Sequence, residues 1–148
     1  MSGIVVGIDG SHNSDHALHW AMAEAAVRKS PLTVLTINPA LASYWNGQPV
    51  AYPGDDQKIA EIRKAAEAAV AAAAEQLGAD QPESVTVTAI NGFPVRALMD
   101  ASKECDLLVV GTRGGGGFAP LNLGSVSSQI VHHAHCPVVV VPAGRQPA

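Results

Sequence analysis

Apolar residues are distributed along this chain in two alternating ways. Five short runs are almost unbroken: Gly3 to Ile8 (GIVVGI), Leu32 to Ile37 (LTVLTI), Ser84 to Ile90 (SVTVTAI), Asp106 to Gly111 (DLLVVG) and Val138 to Val141 (VVVV). β-Branched residues recur in them, and such side chains suit a pleated strand. Between the runs, apolar positions recur at intervals of three and four. Ala17, Leu18, Ala21 and Ala25 form one stripe, and Ile59, Ile62, Ala66, Val70, Ala73 and Leu77 a second. Val95, Leu98, Met99 and Ser102 form a shorter third, and Ser125 to Ala134 reads as a fourth helical segment. This spacing predicts amphipathic helices.

Strands alternating with helices predict βαβ units around a mostly parallel sheet. Strands that are apolar throughout agree, because helices cover both faces of such a sheet. The expected fold class is therefore α/β. Turn residues mark the joints. Asp9-Gly10-Ser11 follows the first strand, with Ser11 or Ser14 available to cap the next helix. Pro31 closes that helix with Ser30 held extended. Asp55 and Asp56 suit a helix start and Gly78 a helix end, and Asn91-Gly92-Phe93-Pro94 reads as a turn, with Pro94 suited to a first helical position. Asn38 to Asp55 lacks periodicity and contains Pro39, Gly47, Pro49, Pro53 and Gly54; it reads as one long loop. Its Tyr44, Trp45 and Tyr52 suit either a contact with a ligand or partner, or a plain surface loop.

Composition narrows the function. A chain of 148 residues with 47% hydrophobic residues can fill a core of its own. Residues 1–143 read as one domain and 144–148 as a flexible tail. A net charge of -4, with charged residues at only 15%, argues against a general grip on nucleic acid. No apolar run reaches the length of a membrane span, and the first residues lack a basic leader. The expected location is the cytoplasm, with Cys105 and Cys136 as reduced thiols without metal spacing.

The stretch after the fourth strand carries the candidate chemistry. Two phosphate-loop templates fail on spacing: Gly124-Ser125 has no lysine before its serine, and the first strand ends GIDGS rather than in a dinucleotide fingerprint. A Ser-Gly-Gly-x-Asp-Ser loop is also absent from the sequence. What remains is Gly111-x-x-Gly114, nine residues, then Gly124-Ser125. Glycines at a strand end let a ligand approach the backbone. Gly124 and Ser125 open a helix whose free N–H groups favour an anion, and the hydroxyls of Ser125 and Ser127 add donors. The same spacing also suits a flexible loop ahead of a Ser-capped helix.

These residues resemble those of the universal stress protein family. Its nucleotide-binding pattern, G-x2-G-x9-G-[ST], is matched in full by Gly111, Gly114, Gly124 and Ser125. VVGIDGS, PLTVLTI, DLLVVGTRG and LGSVSSQIVHHAHCPVVVVP are similar to family stretches, in the family's order. The resemblance implies a three-layer α/β/α fold with a five-stranded parallel sheet of order 3-2-1-4-5, of the adenine nucleotide alpha hydrolase-like type. It implies an ATP site, a divalent cation (Mg2+ or Mn2+) bound with the nucleotide, and a homodimer formed through Val138–Val141.

Position by position, it places Asp9 near the ribose or the phosphate-bound metal, flanked by Gly7 and Gly10, and Ile37 against adenine. It places Gly111, Thr112, Arg113 and Gly114, with Gly115 and Gly116, along the adenosine and phosphates. Gly124, Ser125, Val126 and Ser127 form the phosphate end. The run Gly115-Gly116-Gly117 holds more glycine than the family pattern requires.

Six histidines raise the question of a metal. His12, His16 and His19 share one helix face, and His132, His133 and His135 cluster near the end, but no Cys or carboxylate in the sequence pattern completes a ligand set. The function expected is a nucleotide-dependent stress regulator rather than an enzyme, because no motif supplies a P-loop lysine, a general base or an arginine finger. The alternatives are an interaction module that binds cyclic AMP or no nucleotide, and a slow ATPase or adenylyl-transfer enzyme.

Overall fold

A computed structural model describes residues 3–9, 12–39, 42–45, 48–51, 56–112 and 125–142. The first strand, β1 (Ile4–Ile8), sets the architecture. Successive side chains of a strand point to opposite faces. Ile4, Val6 and Ile8 pack into one apolar cluster and Val5 into another. A strand apolar on both faces needs cover on both, and the chain supplies it.

α1 (His12–Arg28) and α2 (Asp56–Leu77) cover the first face. The stripe expected on α1 is the one buried: Ala17, Leu18, Ala21 and Ala25 have at most 1% of their surface exposed, and Met22 joins them. On α2, Ala66 and Ala73 are buried, with Val70 and Leu77 packed beside them. α3 (Pro94–Ser102) and α4 (Ser125–His133) cover the second face, where Leu98 and Ile130 meet Val5, Leu35, Leu108 and Val110.

The remaining strands of the main sheet are β2 (Pro31–Pro39), β5 (Ser84–Gly92), β6 (Leu107–Gly111) and β7 (Val138–Val141). Its order is β5-β2-β1-β6-β7, and every pairing is parallel. In chain order of these five strands this is 3-2-1-4-5, as expected. β7 lies at an edge of the sheet.

Two expectations need correction. The 38–55 segment is not one structureless loop: β2 continues through Pro39, and β3 (Ala42–Trp45) pairs antiparallel with β4 (Gln48–Ala51). The register sets Trp45 opposite Gln48, and the sequence between them, Asn-Gly, is a strong hairpin dipeptide. Asn91-Gly92 is likewise not a turn. β5 extends through both, because β2 offers Asn38 and Pro39 as partners.

The ends of α1 and α2 follow different rules. Gly78 closes α2 at φ +69°, where a glycine is unstrained. α1 ends before Pro31, at a non-glycine: Lys29 has φ +52°. Ser30 N donates to Ala25 O at 2.9 Å and Lys29 N to Ala26 O at 3.3 Å, the paired bonds of a Schellman motif.

Candidate functional site

In a parallel sheet, ligands bind beyond the carboxyl ends of the strands where the strand order reverses. Here the chain leaves β1 for β2 on one side, and later places β6 on the other. The reversal lies between β1 and β6, so Asp9 and Thr112, the residues after those strands, flank one mouth.

The mouth is built as follows. Asp9 is exposed, and its backbone N–H donates to Ser14 Oγ at 3.2 Å. Ser14 is buried within the first turn of α1, so it ties that turn back to the end of β1. Ser11, the other residue considered for this cap, lies outside the described residues. On the opposite side, Thr112 N donates to Val141 O at 3.1 Å, and Thr112 O accepts from Ser127 Oγ at 3.0 Å. Ser127 is 3% exposed. Its hydroxyl donates to the protein and seats the first turn of α4 on the end of β6.

That seat places the N-terminal turn of α4 beside the mouth. The first N–H groups of a helix have no partner within it, and they carry the positive end of the helix dipole. The turn holds no acidic residue, and His132 and His133 lie in the last turn, where a cation complements the dipole. Val126 presents its side chain to the α3/α4-side core, so its backbone N–H is the group it can offer the mouth.

Gly7 has a packing reason of its own. A Cβ there would stand 2.8 Å from Leu98 Cδ2. Ile37 is half-buried near the end of β2, packed against that same core. Next to it, Asn38 Nδ2 donates to Asn91 Oδ1 at 2.9 Å across the β2–β5 pair. Sequence reasoning passed over this amide pair because the turn assigned at Asn91 hid the register.

The structure thus brings Asp9, Gly111, Thr112, Val126 and Ser127 to one mouth, together with the backbone of Ser125. Gly10, Arg113, Gly114, Gly115, Gly116 and Gly124 lie outside the described residues. Among the described residues, no three His, Cys, Asp or Glu side chains converge as a metal site.

The sequence matches the universal stress protein family over residues 1–142. The chain belongs to that family. A universal stress protein of Mycobacterium tuberculosis strain H37Rv is 38% identical over 139 residues, which cover 94% of this chain and 47% of that protein. This chain spans about half the length of the curated relatives it matches. Among solved structures, a universal stress protein in complex with cAMP is 27% identical, with a TM-score of 0.67 over 97% of this chain and 98% of that one. The UspA universal stress protein of Lactobacillus plantarum, 24% identical with a TM-score of 0.66, covers 95% and 97% and shows the same fold. Among the described residues of this family member, no helix is long and apolar enough to cross a membrane.

Proposed function

We propose that this chain binds an adenine nucleotide, ATP in the first instance, at the β1–β6 mouth, and acts as a nucleotide-dependent regulator with little turnover. The observation that carries this reading is the placement of α4. Its N-terminal amides sit where Ser127 and Thr112 meet, directly after the strand that opens the Gly111, Gly114, Gly124, Ser125 pattern. Backbone donors and a helix dipole suit a phosphate group on a chain of net charge -4, which has few cations to spare. Ile37 offers an apolar side for a base. Asp9 fits a divalent cation carried with the phosphates, because an exposed carboxylate supplies the hard oxygen that Mg2+ or Mn2+ prefers. When bound, such a cation neutralises phosphate charge.

Slow turnover follows from what the pattern omits. No lysine precedes Ser125, and no general base is set by motif. The relative solved in complex with cAMP favours a second reading, in which the same mouth takes a cyclic nucleotide with one phosphate. A homodimer through β7 in the cytoplasm completes the proposal. The edge position of that strand supports the dimer, since unpaired edges invite pairing. Release of bound small molecules from freshly purified protein, identified by mass, tests the assignment. ATP is expected, cyclic AMP would favour the second reading, and no adenine compound together with no binding on titration would refute both.

A further inference from the structure

Two cysteines 31 residues apart meet at the end of the sheet away from this mouth. Cys105 precedes β6 and Cys136 precedes β7, and their Sγ atoms lie 3.7 Å apart, both thiols free and half-buried. The loops that carry them are pinned on either side. Asp106 N donates to Gly3 O at 2.8 Å, and the Asp106 carboxylate accepts from Gly3 N at 2.8 Å. Leu108 N donates to Pro137 O at 3.0 Å. The buried Ser102 hydroxyl accepts from His135 N at 3.0 Å and donates to Met99 O at 2.6 Å, which fixes the Cys136 loop against the end of α3. The sulfurs are thus held in contact by the backbone around them, and forming a bond of about 2.05 Å asks only a short approach.

We propose that Cys105 and Cys136 form an oxidative modification site, closing an intramolecular disulfide when the protein meets a low-molecular-weight disulfide. The Cys136 thiolate attacks one sulfur of the reagent, forms a mixed disulfide and releases one small thiol. Cys105 then gives up its proton and attacks Cys136 Sγ, releasing the second small thiol. The two protein thiols are oxidised, the reagent disulfide is reduced to two thiols, and both protons are accounted for. Burial first, and then the Cys136 thiol beside it, push the Cys105 thiol up to about 12, so Cys105 acts as the resolving partner. The same burial keeps the resting pair reduced and makes oxidation slow. The site does not depend on nucleotide binding, because it lies at the amino ends of the strands.

The test treats native protein with 2-hydroxyethyl disulfide, then alkylates any free thiol and measures intact mass. The expected product has lost two hydrogens, takes up no alkylating reagent, and yields one peptide pair linked through Cys105 and Cys136. A reductant restores both thiols, and the oxidised form melts about 5–15 °C higher, since the bond closes a loop of some 31 residues. Cys105→Ser halts at the mixed disulfide on Cys136. Stable reagent adducts on both cysteines, a link between two molecules, or thiols that stay alkylatable throughout would each overturn the proposal.

Discussion

Ser127 and Thr112 are joined across 15 residues by a part-buried hydroxyl–carbonyl bond of 3.0 Å, and that bond seats the first turn of α4 on the end of β6. Ser127→Ala leaves the Thr112 carbonyl without this donor. The expected loss is about 1–2 kcal/mol of unfolding free energy. Nucleotide affinity should fall as well, because the amides of the turn lose their seat. Urea unfolding and calorimetric titration check the two effects, with Gln129→Ala, an exposed change on the same helix, as a control expected to alter neither.

Gly7→Ala places a methyl group against Leu98, whose Cδ2 lies 2.8 Å from the new atom. Leu98 is 4% exposed and has little room to retreat. The substitution should cost about 1–3 kcal/mol. In Gly7→Ala/Leu98→Ala the clash disappears, so the two losses should sum to more than the measured loss of the pair. Additive losses in a double-mutant cycle would contradict the packing role.

Lys29→Gly should stabilise the protein. The αL conformation at φ +52° strains a lysine but not a glycine, and the side chain is exposed. After the entropy that glycine gains in the unfolded chain, a net gain of about 0.5–1 kcal/mol remains, read as a higher urea midpoint with unchanged slope.

The Cys105 thiol makes stability fall in alkali. Its ordinary value of 9.0 is raised to about 12 by burial, then by the Cys136 thiol. The folded state therefore holds the proton more tightly than the unfolded chain. The stabilisation is full below pH 9 and is lost as pH rises from there toward 12. The check is the difference between the wild type and Cys105→Ser, both kept reduced. That difference should narrow with rising pH.

Much of this fold was legible in the chain. The buried alternation of Ile4, Val5 and Val6, the Ala17–Ala25 stripe and the Gly78 cap each follow from local chemistry, and the structure repeats them. The order of strands came from the family resemblance, because local pattern says nothing of which strand lies beside which. The β3–β4 hairpin was written in Asn46-Gly47 but masked by the prolines on both sides. Pro31 announced the end of α1, but the form of its cap carried no signal, since a lysine gives no warning of positive φ.

At the site, the sequence pattern named Ser127 for its hydroxyl but carried no sign that this hydroxyl donates inward to Thr112 O. The two cysteines looked unrelated, yet each lies two residues ahead of a strand, and β6 and β7 are parallel neighbours. The register, with Leu108 opposite Val138, brings the two loops ahead of these strands side by side, and local pattern carries no sign of that pairing.

Calorimetric titration of nucleotide-stripped protein with ATP and Mg2+ tests the central claim most directly, with Gly124→Val as the comparison. Saturable binding at one site per chain is expected, weakened at least tenfold by Gly124→Val in a protein whose unfolding midpoint is unchanged. Folded wild-type protein that takes up neither ATP, ADP nor cyclic AMP, or a Gly124→Val variant that binds as tightly as the wild type, would contradict the account.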